Sequence, residues 1–129
     1  MNEMILLRHG ETEWSRDRRH TGRTDLPLTS TGEDQARALA PLVARGDFGL
    51  VLVSPALRAR RTAELAGLAR YETDPDMWEW DYGGYEGITT ASIRETRPDW
   101  YLWHDGVIPG EAPHPGESIA QVGARADRV

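Results

Sequence analysis

A chain of 129 residues, 39% of them hydrophobic, has room for one globular domain (residues 1–129) around one modest core. Its net charge of -6, with acids and bases interspersed, argues against nucleic acid as a partner. The absence of cysteine excludes disulfides and thiol catalysis and fits a cytoplasmic protein, and the opening apolar run, Met4 to Leu7, is far too short for a signal peptide or a membrane span.

Met4 to Leu7 reads as a buried strand. Residues 9 to 28 are polar, contain glycine and show no clean period, so they read as a long loop closed by Pro27. This stretch is locally basic: Arg8, Arg16, Arg18, Arg19 and Arg23 are joined by His9 and His20. On an acidic chain such a segment suits a small anionic ligand; the alternative is a solvated loop. A helix is expected from Thr29 or Ser30, where Ser30 and Glu33 have capping-box spacing. Ala36, Leu39, Ala40 and Val43 give it one apolar face, Pro41 should kink it, and Gly46 should end it.

Leu50 to Val53 reads as a second strand, with Ser54-Pro55 as the turn out of it. A helix over Leu57 to Leu68 follows, with a small-residue face of Ala59, Ala63 and Ala66, and Tyr71 to Thr73 reads as a third strand. Strands alternating with helices at this spacing predict an α/β fold with a parallel sheet covered by helices. Residues 74 to 118 are rich in proline and hold Trp78, Trp80, Trp100 and Trp103. A short helix is expected over Thr89 to Glu95, a helical turn over Pro98 to Trp103, and irregular chain over Pro109 to Pro115. A last helix starts near Glu117, with Ile119, Val122, Ala126 and Val129 on a face that has no later strand to pack on.

Two motifs follow strand ends: Arg8-His9-Gly10 and Ser54-Pro55-Ala56-Leu57-Arg58. Ligands of open parallel sheets bind at the carboxyl ends of strands, so His9 and Arg58 are expected at one site. A neutral imidazole is a good nucleophile toward phosphorus, and guanidinium groups match phosphoryl oxygens, so Arg8 and Arg58 would hold the transferring group. A leaving alkoxide needs a proton. Glu79, in Trp78-Glu79-Trp80-Asp81-Tyr82-Gly83, is the candidate general acid, since a carboxyl desolvated between indoles suits that role; the alternative is a surface carboxylate beside core aromatics.

With these motifs in order, the chain resembles the histidine phosphatase superfamily, in its phosphoglycerate-mutase-like branch. The resemblance rests on Leu7-Arg8-His9-Gly10-Glu11-Thr12-Glu13-Trp14, on Thr21-Gly22, and on the helix start Leu28-Thr29-Ser30-Thr31-Gly32-Glu33-Asp34-Gln35-Ala36. It extends through Ser54 to Ala59 with Thr62-Ala63, Glu79 with Tyr82-Gly83 and Glu86-Gly87, and Pro115-Gly116-Glu117-Ser118. It implies a three-layer α/β/α sandwich with a mostly parallel central sheet. It also implies a two-step reaction in which His9 becomes phosphohistidine and Glu79 protonates the leaving oxygen and then activates water. Arg8 and Arg58 would bind phosphate. Thr21 would offer a hydroxyl and Gly22 a backbone donor to the substrate, with Ser15 beside them. No metal and no cofactor is implied.

The family's second active-site histidine has no counterpart here, since His20 lies in the substrate loop and His104 and His114 precede the last helix. The chain is therefore expected to be the N-terminal portion of the family domain, leaving a sheet edge and a helix face for the remainder to cover. The short span from Gly87 to Glu117 favours phosphatase over mutase. Residues 80 to 111 resemble the sugar-bisphosphatase (sedoheptulose-1,7-bisphosphatase) branch, so a small phosphorylated metabolite, a sugar phosphate or bisphosphate, is the expected substrate. Arg23 and Arg94 are candidates for a second, non-transferring phosphate or are ordinary surface arginines; His20 contacts substrate or makes local hydrogen bonds. The alternatives are a cofactor-dependent phosphoglycerate mutase and a non-catalytic phosphate-binding protein of the same fold. The aromatics of residues 78 to 103 suit a pocket, a core or an interface, and a homodimer is compatible with the family.

Overall fold

A short parallel pair of strands and the helices after each of them organise residues 3–129, the part described by this computed structural model. Strand β1 (Leu52–Val53) pairs with β2 (Glu72–Thr73), Leu52 opposite Glu72 and Val53 opposite Thr73. Helix α4 (Leu57–Leu65) is the connection between them, which is the strand–helix–strand unit expected from the sequence. Each strand is shorter than the segment expected, Leu50 to Val53 and Tyr71 to Thr73. The run Met4 to Leu7 departs further: Met4 is 83% and Leu6 84% exposed, and no described segment pairs with it. A strand needs a neighbour for its backbone groups, so here an apolar sequence alone does not make a buried strand.

Upstream, Thr12 caps a helix that periodicity does not reveal, α1 (Glu13–Arg16). Thr12 Oγ1 accepts from the Ser15 N–H at 3.1 Å and Ser15 Oγ accepts from the Thr12 N–H at 2.9 Å, a reciprocal cap with serine in place of the usual acid. Helix α2 (Ser30–Ala38) starts one residue ahead of the expected box: Thr29, not Ser30, is the cap, accepting from the Gly32 N–H at 3.0 Å. Glu33 instead pairs with Arg37 and Arg61. The helix breaks at Leu39 and resumes as α3 (Ala40–Val43), because Pro41 has no N–H to continue the ladder.

Helix α2 packs on α4, with Ala36 of one and Ala63 of the other buried, and it also presses on the loop that follows Arg8. Gly10 and Gly32 meet backbone to backbone, so a Cβ on either would overlap the other strand of chain: at Gly10 it would strike the Gly32 carbonyl, and at Gly32 that of Glu11. The His9 loop can sit this close to α2 only because both positions are glycine.

The second half folds around Tyr85, Ile93 and Trp100, with Tyr82, Leu102 and Val107 against them. Helix α5 (Thr90–Thr96), capped by Thr89, supplies Ile93; α6 (Leu102–Asp105) and the irregular chain after it close this cluster. Helix α7 (Ile119–Ala126) is capped by Ser118 and Gln121. It is anchored less by its apolar stripe than by Arg125, since Ala126 and Val129 stay exposed. The buried Arg125 guanidinium donates to both Glu117 oxygens at 2.7 and 2.8 Å and to the carbonyls of Asp76, Trp78 and Glu79. An apolar side chain could not satisfy those carbonyls.

The hydrogen bonds from Arg125, more than any other influence, hold the Glu117 carboxyl at about 2, below its ordinary 4.5. A depressed folded-state pKa stabilises fully above about 4.5 and loses that contribution as pH falls toward 2. Glu117→Gln is expected to cost about 1–3 kcal/mol at pH 7 and clearly less at pH 3, read by denaturant unfolding. An equal loss at both pH values would show that this ion pair does not govern acid stability.

Candidate active site

His9 sits half-buried where the Arg8–Thr12 loop passes under α2. Its Nδ1 lies 2.7 Å from the Gly10 carbonyl oxygen. A carbonyl can only accept, so Nδ1 carries the proton and the neutral ring keeps its lone pair on Nε2. Burial is the main cause that lowers the imidazole pKa below 6.5, and the charges of Arg58 and Arg8 reinforce it. The Gly10 bond and Glu79 oppose the shift. The ring is thereby biased toward its neutral, nucleophilic form at neutral pH.

The loop is held from below by α4. Thr62 Oγ1 accepts from the Gly10 N–H at 3.0 Å and donates to the Arg58 carbonyl at 2.7 Å. Arg58, 2% exposed, donates to the carbonyls of Thr24 at 3.1 Å, Gly22 at 3.0 Å and Thr21 at 3.4 Å. Burial lowers the pKa of this guanidinium, and Glu79, Asp25 and Glu86 oppose the shift. Glu86 grips the same loop from the other side, its Oε1 accepting from the N–H groups of Gly22 at 2.9 Å and Thr24 at 3.1 Å. Residues 21–24 are thus fixed between a buried cation and a carboxylate.

A cleft of about 330 Å³ opens over His9. Arg8, Arg18 and Arg19 line it with Ser15, His20, Thr21, Glu79 and Tyr82. A neighbouring hollow of about 290 Å³ shares Arg8, His9 and Ser15 and adds Glu11, Arg16 and Gln35. Of the residues expected from the sequence, His9, Arg8, Glu79, Ser15, His20 and Thr21 therefore come together. Arg58 lies beneath the cleft, not on its wall. The Gly22 N–H is taken by Glu86 and is not free for substrate. Arg23 and Arg94 are engaged elsewhere. Arg23 stands 5.4 Å over the Trp78 ring and 3.6 Å from Glu117, and Arg94 Nε donates to the Trp100 carbonyl at 3.0 Å.

Glu79 is exposed, not enclosed between indoles; Trp80 turns inward, and its Nε1 donates to the Glu117 carbonyl at 2.8 Å. Glu79 Oε1 accepts from the Trp80 N–H at 2.8 Å and has the Tyr82 hydroxyl at 3.5 Å. Burial first, and then the Glu79 charge, raise the Tyr82 pKa, so this phenol remains a donor. His20 Nδ1 donates to the Ile88 carbonyl at 2.7 Å, and its ring packs 4.8 Å from Tyr82 and 5.7 Å from Trp100. Arg18, Arg19 and Tyr82 are cleft residues that sequence reasoning did not single out. For Arg18 and Arg19 the basic run was a signal, but it could not say which arginines face one space.

Among the described residues no group of three or more His, Asp or Glu is arranged to hold a metal, and no helix is long and apolar enough to cross a membrane. Comparison with known proteins gives the site its context. The profile of the histidine phosphatase superfamily (branch 1) matches residues 4–129. The chain is 46% identical to an acid phosphatase of Mycobacterium tuberculosis over 128 residues, 98% of this chain and 60% of that protein. It is 36% identical to sedoheptulose 1,7-bisphosphatase of Saccharomyces cerevisiae, covering 97% of this chain and 53% of that one. A probable phosphoglycerate mutase of Serratia proteamaculans is also 36% identical, with 97% and 60% covered. A solved structure of an open reading frame product of Mycobacterium tuberculosis superposes with a TM-score of 0.83 at 46% identity, covering 93% of this chain and 60% of that chain. This chain therefore spans between about half and three fifths of the length of these relatives. With its motifs matched over nearly all of its length and its fold superposed, the chain belongs to the histidine phosphatase superfamily, branch 1.

Proposed function

We propose that this protein hydrolyses a phosphomonoester of a small metabolite, a sugar phosphate or bisphosphate, through a phosphohistidine at His9. The observation that carries this reading is the His9 tautomer: Nδ1–H is committed to the Gly10 carbonyl, which leaves the Nε2 lone pair in a cleft that also holds Arg8 and Glu79. Nε2 attacks phosphorus as the ester P–O bond breaks, and the Glu79 carboxyl gives its proton to the departing alkoxide. Water then yields a proton to the Glu79 carboxylate and attacks phosphorus, the N–P bond breaks, and inorganic phosphate leaves with His9 restored. Arg8 neutralises the equatorial oxygens. Arg58 serves from below by fixing the loop that presents Thr21. The cleft, about 330 Å³, is at the small end of metabolite pockets, roughly 300–1,000 Å³. The acid phosphatase and the bisphosphatase among the relatives support hydrolysis. The mutase relative keeps transfer to a second hydroxyl as the competing reading.

His9→Ala is expected to abolish both phosphate release and phosphoenzyme formation, read by acid-quench labelling; full activity in that variant would end the nucleophile assignment. Glu79→Gln should slow alkyl esters by about 10²–10⁴-fold and aryl esters, whose leaving groups need no proton, far less. Equal slowing of both classes would remove Glu79 from the acid role.

Because His9 is needed neutral and its pKa is lowered, chiefly by burial, the acid limb of kcat/KM should lie below 6.5. Activity should persist as pH falls through 6.5 and fail only below the shifted value. A limb above 6.5 would contradict the burial argument.

A further inference from the structure

We infer that Arg18 and Arg19 form a second anion subsite in the His9 cleft, so that its ligand carries two anionic groups: the phosphoryl at His9 and a carboxylate or second phosphate beyond it. Which end reacts rests on the proposed His9 chemistry; the binding does not.

The first support is how this chain uses its cations. It has no lysine, so all 15 of its basic residues are arginine, each permanently charged. Ten of the 15 are engaged with carboxylates, backbone carbonyls or a tyrosine hydroxyl. Among the described residues, Arg8, Arg18, Arg19, Arg45 and Arg70 are the guanidiniums with neither a hydrogen bond nor an ion pair, and three of these five line one cleft. Glu79 is the carboxylate on the same wall. Three guanidiniums thus stand with one carboxylate around the cleft. Arg8, next to His9 in the chain, serves the phosphoryl group, and Arg18 and Arg19 are left for a further anionic group.

The second support is the backbone of Arg18. Its φ is +59°, the left-handed region that every residue with a Cβ resists and that glycine or asparagine usually fills just after a helix. The turn itself is made by backbone bonds: the Arg18 N–H donates to the Ser15 carbonyl at 3.2 Å and the Arg19 N–H to the Trp14 carbonyl at 2.9 Å. Glycine would make the same turn without strain. An arginine kept in a strained position beside a reactive group points to use of its side chain. Arg19 leaves an equally fixed backbone, bridged to Thr89 and accepting the Thr21 hydroxyl at 3.2 Å. Arg23 and Arg94, the alternatives for a second phosphate, are held by Glu117 and by the Trp100 carbonyl.

Calorimetric titration of the chain with inorganic phosphate, 2-phosphoglycolate and propane-1,3-diyl bisphosphate tests this. At least one two-anion probe should bind tenfold or more tighter than phosphate, and the better of the two identifies the second group as carboxylate or phosphate. Arg18→Gly and Arg19→Ala should each lower that selectivity ratio about tenfold. Arg18→Gly should at the same time raise the melting temperature, because it relieves the positive φ, which separates loss of the subsite from loss of fold. The inference is overturned if no probe binds, if neither two-anion probe exceeds phosphate, or if the ratio survives both substitutions. Tighter binding of a two-anion probe by the unsubstituted chain, lost on both substitutions, in a chain that shows no turnover would instead retire the hydrolytic reading and leave the subsite standing.

Discussion

Helix α4 holds both sides of the cleft with two adjacent turns. Thr62 takes the Gly10 N–H and thereby sets the loop that carries His9, while Arg58, one turn earlier, takes the carbonyls of Thr21, Gly22 and Thr24. Loops satisfy their backbone groups with water unless something in the protein replaces it. Here the replacement comes from a threonine and an arginine four residues apart on one helical face, so the two loops cannot drift independently. The parallel pairing of β1 and β2 and the packing of α2 against α4 serve this arrangement by fixing where α4 starts and which way it faces.

The opposite wall is built by a second buried arginine. Arg125 reaches from α7 to the carbonyls of Asp76, Trp78 and Glu79, and Glu117 neutralises it. Glu79 is therefore held through its backbone while its carboxylate stays in solvent. That division suits a group that must exchange protons with water. His9 shows the reverse balance, half-buried and with its pKa lowered by that burial, as a group needed without its proton should be. The two candidate partners in proton and phosphoryl transfer thus differ in burial for opposite chemical reasons.

Met4 to Leu7 and Leu50 are exposed apolar residues, and none of them pairs within the sheet of two described strands. Relatives that the chain matches over almost all of its own length are themselves considerably longer. An apolar run is a strand only when a partner accepts its backbone, and this is why composition predicted burial where the structure has none.

The sequence by itself determined the strand–helix–strand order over residues 50 to 73, the local caps and breaks of the helices to within a residue, and the motif residues. These are local: Thr29 and Ser118 cap by bonds within three residues, Pro41 breaks a helix by its own missing N–H, and His9 follows Arg8 along the chain. It also brought His9, Arg8 and Glu79 forward as candidates for one site, and the fold places all three on one cleft. Only the tertiary structure decided which of many arginines line the cleft and which are buried beneath it. Arg58, expected from the sequence to bind phosphate, and Arg125, to which the sequence assigned no role, are buried hydrogen-bond hubs, whereas Arg18 and Arg19, undistinguished within a basic run, share the cleft with His9. An arginine's role depends on which carbonyls and carboxylates the fold brings to it, and those lie tens of residues away along the chain.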